Sequence, residues 1–187
     1  MSSRKAVRGW LRGPVHSRVA LLVLFGALSA CGFKPLYGSV GGAPSVGSEL
    51  STIYVQPISD RVGYELRNNL IDLLNASGSA ESSRYRLNLN LTEREDAVVL
   101  QANTSITRYN YTLVAHYELT PKGATEAVKT GNLTAFAAYN VAAAPFLYAS
   151  VTAQRDAHDR AAMDIAERLR TELAVYLLSE AERQSAP

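Results

Sequence analysis

A two-layer α+β sandwich is what this sequence predicts: a four-stranded, mainly antiparallel sheet covered by two helices, in the order β-α-β-β-β-α. Three observations lead there. Tyr85, Leu87, Leu89 and Leu91 alternate with Arg84, Arg86, Asn88 and Asn90, and the same period of two recurs over 108–119 and 133–139. Between 60 and 76, and again between 152 and 183, apolar residues instead recur at helical spacing. Strands with one apolar face need that face covered, and two amphipathic helices supply the cover.

Each element follows from its residues. Ser51 to Ile58 is rich in β-branched and aromatic side chains and reads as a strand, with Pro57 near its end or on an edge because it lacks an N–H. Val62, Leu66, Leu70, Leu73 and Leu74 form a helical stripe that Ser59 or Asp60 can cap and Asn75-Ala-Ser-Gly78 stops. The strand from Tyr85 to Leu91 leads into Glu93-Arg94-Glu95-Asp96, read as a charged strand end or turn. Tyr109, Tyr111, Leu113, Ala115, Tyr117 and Leu119 mark the next strand, and Pro121-Lys122-Gly123-Ala124 a hairpin turn. The fourth strand runs from about Ala127 to Tyr139. The last helix, Thr152 to Arg183, carries the stripe Ala161, Ala162, Ile165, Leu169, Leu173, Tyr176 and Leu177.

Upstream of these elements the composition changes. Arg4, Lys5, Arg8, Arg12 and Arg18 precede an uncharged run from Val19 to Leu28, and no acidic residue occurs in the first thirty. Basic, then apolar, then small is the order of a secretory signal, and the twelve residues from Val19 to Ala30 fall short of the roughly 17–25 that span a bilayer. Leu28 spoils the small-residue pattern of ordinary signal cleavage. Leu28-Ser29-Ala30-Cys31 instead resembles the bacterial lipobox, in which the cysteine thiol is acylated and becomes the new N-terminus. The expected organisation is a lipoprotein signal peptide over 1–30, a lipidated cysteine and flexible tether over 31–50, and a single α+β domain over 51–187. Cys31 would carry a diacylglycerol and an N-acyl chain, enough for firm anchoring. By resemblance to enterobacterial sorting, Gly32 rather than Asp after the cysteine favours the outer membrane. Gly38 to Ser48 is small and flexible. Phe33-Lys34-Pro35-Leu36-Tyr37 is apolar for a linker, and either the membrane surface, a partner or the domain edge could take it.

Removing the leader changes the sign of the charge. Five of 19 basic residues leave with it, so 14 basic face 17 acidic ones, a net −3. The precursor's positive charge is therefore no argument for nucleic acid. Cys31 is the only cysteine, so no intramolecular disulfide forms and an apolar core must hold the domain.

Catalytic chemistry finds little support. His116 and His158 are the only histidines past the leader. His158 and Asp159 could orient a base, but no nucleophile motif accompanies them, and a solvated acidic start to the last helix accounts for the segment better. Glu93 to Asp96 lacks the spacing of a calcium loop. Neither a phosphate-binding glycine loop nor a basic stripe with interleaved aromatics occurs. No catalytic residue, metal site or cofactor is expected. The Asn-x-Ser/Thr triplets at Asn75, Asn90, Asn103, Asn110 and Asn132 read as ordinary polar positions. Tyr85, Tyr109, Tyr111, Tyr117 and Tyr139 read first as core rings with hydroxyls at the sheet margin, and second as a recognition surface. The same choice holds for the apolar connection from Tyr139 to Tyr148.

Several of these segments together resemble the LptE lipoproteins of the alphaproteobacterial type. The most specific is Cys31-Gly-Phe-Lys-Pro-Leu-Tyr37; Tyr85-Arg-Leu-Asn-Leu, Arg108-Tyr-Asn-Tyr, Tyr139-Asn140 with Tyr148-Ala149, and Asp156-Ala157 with Ala161-Ala162 follow the same pattern. The resemblance implies a non-enzymatic outer-membrane lipoprotein on the periplasmic side. Such a protein plugs the LptD β-barrel, assists its assembly, and helps insert lipopolysaccharide into the outer leaflet. On that reading Arg84, Arg86, Arg108 and Lys129 are candidates to meet lipid A phosphates, through charge-assisted hydrogen bonds. The negative charge of the mature chain gives no bulk attraction to lipopolysaccharide. The alternative is an auxiliary lipoprotein of an envelope lipid-transport system, with the same anchor and a different partner.

Overall fold

The computed structural model describes residues 46–76, 79–100, 106–141 and 147–185, all within one compact unit, Leu36–Pro187. Its elements are α1 (Val46–Leu50), β1 (Ile53–Val55), α2 (Asp60–Leu74), β2 (Tyr85–Leu100), β3 (Ile106–Pro121), β4 (Lys129–Asn140) and α3 (Leu147–Ser185). The leader, Cys31, the Phe33–Tyr37 segment, most of the expected tether, Asn103 and residues 142–146 lie outside the described residues.

The strands form one sheet in the order β1-β2-β3-β4. β1 runs parallel to β2, since α2 carries the chain back to the starting end, while β2–β3 and β3–β4 are antiparallel. The α+β architecture and order expected from the alternation are observed, with a one-turn helix added in front.

Register explains the layers. Tyr111, Leu113, Ala115, Tyr117 and Leu119 are buried in alternation along β3, and Leu133, Ala135, Ala137 and Tyr139 along β4. Opposite them, α2 buries Val62, Leu66, Leu70 and Leu74, and α3 buries Ala157, Ala161, Ile165, Leu169 and Leu173. α2 packs along α3, and α3 packs chiefly on β4. Alanines on the facing surfaces of α3 and β4 let helix and sheet approach closely. At ~1.5 Å per residue a 39-residue helix is about 58 Å long, comparable to a 16-residue strand at ~3.4 Å per residue, so α3 runs the length of the sheet.

Two glycines are required by geometry. Gly123 has φ 83° in the β3–β4 turn, where Ala124 N–H donates to Pro121 O at 3.1 Å. Gly131 lies opposite Tyr117 on the neighbouring strand, and a Cβ there would meet the tyrosine ring and hydroxyl at 2.7–2.9 Å. The bare backbone of Gly131 is what seats that ring.

Four expectations are corrected. The strand seen in 51–58 is only Ile53–Val55, and Pro57 falls beyond its end. α2 ends as expected on Asn75, in the left-handed region at φ 51°, but Ser59 at its N-cap makes no side-chain capping bond. β2 continues through Glu93-Arg94-Glu95-Asp96 to Leu100, so the charged run is mid-strand rather than a turn. α3 begins at Leu147, five residues before Thr152. In addition, Val46–Leu50, read from its composition as the end of the tether, is helical; Val46 and Leu50 are buried and α1 packs on α3, so ordered chain begins before residue 51.

Candidate functional site

Ionic and polar side chains concentrate in three places: the ends of the sheet, the seam between α3 and β2, and the sheet face that neither helix covers.

The four candidate cations lie mostly at the ends, and they do not gather. Arg84, just before β2, donates from Nη1 to both carboxylate oxygens of Glu49 at 3.0 and 2.8 Å, which ties α1 to the sheet. Arg86 reaches Ala124 O at 3.3 Å across the hairpin turn. Arg108 lies near the other end of β3, opposite Asn140. It is twelve residues from Thr120, the partner of Arg86, or about 40 Å of strand at ~3.4 Å per residue. Lys129 opens β4 opposite Leu119, on the helix side, beside Glu172 and Tyr176.

The seam was not legible as a site. Glu93 and Glu95 continue the parity of Leu87, Leu89 and Leu91, so both lie on the helix side of the sheet, and Glu95 meets α3. Glu95 accepts from Tyr139 Oη at 3.1 Å and from Gln154 Nε2 at 3.0 Å, and it meets His158 Nε2 at 2.8 Å. Tyr111 Oη donates to Glu93 at 2.8 Å, and its ring stacks on the His158 imidazole with centroids 4.1 Å apart. Tyr139 in turn stacks on Tyr109 at 5.5 Å. Lower in the same layer Tyr117 Oη donates to Glu172 of α3. Of the five tyrosines read as core rings with hydroxyls at the margin, Tyr111, Tyr117 and Tyr139 therefore each find a carboxylate.

The electrostatics follow from this packing. Burial pushes the Glu95 carboxyl up, but hydrogen bonds from Gln154, His158 and Tyr139, with the charge of His158, outweigh it and hold the group below the ordinary value of 4.5. Burial and the neighbouring Glu95 push Tyr139 up to about 12. Tyr111, desolvated and bonded to Glu93, and Tyr117, desolvated and bonded to Glu172, are raised as well.

His158 is therefore not part of a solvated helix start. It lies about three turns into α3, only 15% exposed, and faces the sheet. Asp159 points away from it to Arg61 at 2.8 Å. The two residues serve different partners and form no dyad. What the seam does chemically is fasten α3 to β2 and β3. The signal that could have located it was the parity of Glu93 and Glu95 with the leucines before them.

The third region is the uncovered face, lined by Asn88, Asn90 and Thr92 on β2, Asn110, Thr112 and His116 on β3, and Thr130, Asn132 and Thr134 on β4. His116 lies here as its alternation predicts, with Nδ1 2.9 Å from Asn132 Oδ1. Phe136 stands on the same face, 75% exposed. At the free edge of β4, Arg160 and Arg168 of α3 donate to Ala138 O and Thr134 O at 3.3 and 3.2 Å, each held by an aspartate one turn earlier. Among the described residues, no cluster of histidine, cysteine and carboxylate groups is placed to hold a metal, and no helix is long and apolar enough to cross a membrane.

Comparison with known proteins adds a family. The model of LptE, described as lipopolysaccharide-assembly, matches residues 50–173. A putative lipoprotein from Caulobacter crescentus CB15 is similar at 28% identity, with 73% of this chain and 98% of that one covered and a TM-score of 0.61. A minor lipoprotein from Acinetobacter baumannii (16% identity, 66% and 89% covered, TM-score 0.51) shares the fold. So does the rare lipoprotein B from Shewanella oneidensis (13% identity, 68% and 95% covered, TM-score 0.50). No curated protein gave a sequence match.

Proposed function

This chain belongs to the LptE family of lipopolysaccharide-assembly proteins, and from that membership we propose that it is a lipoprotein held in the outer membrane through acylated Cys31. There, on the periplasmic side, it plugs an LptD-like β-barrel, assists the barrel's assembly, and aids insertion of lipopolysaccharide into the outer leaflet. The observation that carries this reading is the family match over nearly the whole folded domain, placed behind a lipobox-like Leu28-Ser29-Ala30-Cys31.

The geometry suits the role. A sheet with helices packed on one side is two layers thick, too bulky for small barrels whose interiors their own side chains fill, and matched to large ones with a wet lumen. The middle of the uncovered face is largely amide and hydroxyl, which can exchange water for hydrogen bonds to a polar wall, while charged side chains such as Arg86, Arg94, Asp96, Arg108 and Glu118 lie around it. The work is done by shape and contact rather than by catalysis, and the seam residues best placed for chemistry already bond one another. Of the candidate cations, Arg84 and Arg86 are engaged within the domain, which leaves Arg108 and Lys129 as the better contacts for lipid A phosphates.

Affinity purification of the C-terminally tagged chain from outer membranes in mild detergent tests the reading. A single large β-barrel protein at one-to-one stoichiometry is the expected result. Recovery of a transport ATPase complex, or of no partner, would overturn it.

A further inference from the structure

Phe136 is the most exposed aromatic ring on the sheet, and its surroundings are built in an unusual way. Next along the same face is Ala138, which leaves a notch beside the ring. Asn110 and Asp96 occupy the same cross-strand row as Ala138, and Thr112 the same row as Phe136. With Arg160 reaching round the edge of β4, these residues line a cleft of about 460 Å³, within the usual range of ligand sites.

Its chemistry selects among ligands. The one guanidinium of the lining is already neutralised, with Arg160 Nε 2.9 Å from an oxygen of Asp156, and the lining carboxylate Asp96 is held by Arg94 Nε at 2.9 Å; Arg108, the next residue along the face from Asn110, lies outside the lining. An anion would have to break those pairs. A cation would find one carboxylate, itself paired. A purely apolar ligand would strand the amide of Asn110 and the hydroxyl of Thr112, neither of which has a hydrogen-bond partner among the described residues. A pyranose satisfies all three demands. One of its faces presents C–H groups that stack on an aromatic ring, its rim presents hydroxyls for an amide, a hydroxyl and a carboxylate oxygen, and it carries no charge.

We propose that this cleft binds a neutral saccharide, with a sugar face stacked on Phe136 and its hydroxyls bonded to Asn110, Thr112 and Asp96. The site stands on this geometry alone and is tested on the isolated protein, so it does not depend on the barrel reading. Two envelope sources supply such chemistry: the core oligosaccharide of lipopolysaccharide and the glycan of peptidoglycan.

The test is a titration of the ¹⁵N-labelled full chain in an amine-oxide detergent, free of sugar headgroups, followed by amide chemical shifts. The probes are core oligosaccharide released by mild acid, a disaccharide muropeptide, maltotriose and inorganic phosphate. A saccharide is expected to shift the Asn110 side-chain amide and the backbone of 110–112 and 136–138. The tighter of the first two probes identifies the source. Phe136→Ala, which keeps the fold because the ring is exposed, should weaken binding about tenfold or more, while Phe136→Trp retains it. The proposal is overturned if no saccharide shifts these residues at millimolar concentration, if Phe136→Ala binds undiminished, or if phosphate alone reproduces the shifts.

Discussion

His158 and Glu95 meet at 2.8 Å across the seam between α3 and β2, 63 residues apart in sequence, with the imidazole lying flat on the ring of Tyr111. The contact adds a directional polar tie between a long helix and its sheet to the apolar packing beneath them. Glu95→Ala removes the acceptor of Tyr139, Gln154 and His158 together. Hydrogen bonds to a charged group contribute about 1.5–3 kcal/mol each at most, so a loss of about 2 kcal/mol is expected in urea unfolding. Glu95→Gln should recover part of it.

The same carboxylate sets a pH dependence. Its pKa is lower in the folded chain than in the unfolded one, so it contributes stability above the ordinary value of 4.5 and loses that contribution as pH falls through the depressed folded value. The stability difference between the parent chain and Glu95→Gln should therefore be full at neutral pH and shrink on acidification below the carboxylate range. A difference that stays constant from neutral to acid pH would contradict the assignment.

In the core, Leu66 of α2 and Ile165 of α3 are fully buried. Leu66→Ala deletes buried methyl groups and leaves a cavity between helices that cannot close up without moving the sheet contacts of α3. A loss of about 2–5 kcal/mol is expected, read from the denaturant midpoint at unchanged slope.

Alternation in Tyr109–Leu119 and the leucine stripe of α2 were legible because burial on one face writes a period directly into the residue types. Glu93 and Glu95 were not, because a carboxylate on an inward position reads as the end of a strand unless its partners are known. Those partners, Tyr139, Gln154 and His158, come from elements 44 to 63 residues away. α1 was missed for a related reason: Val46 and Leu50 are the only apolar residues of a one-turn helix set in a glycine- and serine-rich stretch, and only their burial distinguishes it from tether. Charge is what marks the candidate cations in the sequence, and it does not record that Arg84 is spent on Glu49.

If Cys31 is acylated as proposed, the acyl chains supply the membrane affinity, and Cys31→Ala is expected to leave the protein in the inner membrane or the soluble periplasm; no described helix can span a bilayer. Fractionation with immunodetection reads the outcome. Normal recovery of the variant in outer membranes would remove lipidation at this residue.

The free edge of β4 yields the last prediction. An uncovered strand edge presents a row of backbone donors and acceptors on which another chain can pair. Here Arg160 and Arg168, two turns apart on α3, each place a guanidinium on a β4 carbonyl, at Ala138 and Thr134, while Asp156 and Asp164 hold them in position. Exposed pairs of this kind contribute little to stability, about 0–1 kcal/mol, so Arg160→Ala with Arg168→Ala should unfold nearly as the parent does. Its association state should change instead. With the carbonyls uncovered, the double variant is expected to form dimers or larger species on size exclusion at concentrations where the parent does not. Arg160→Lys with Arg168→Lys, which keeps the charge but not the planar fork, should fall between. A double alanine variant no more associated than the parent would show that the guanidiniums do not guard the edge.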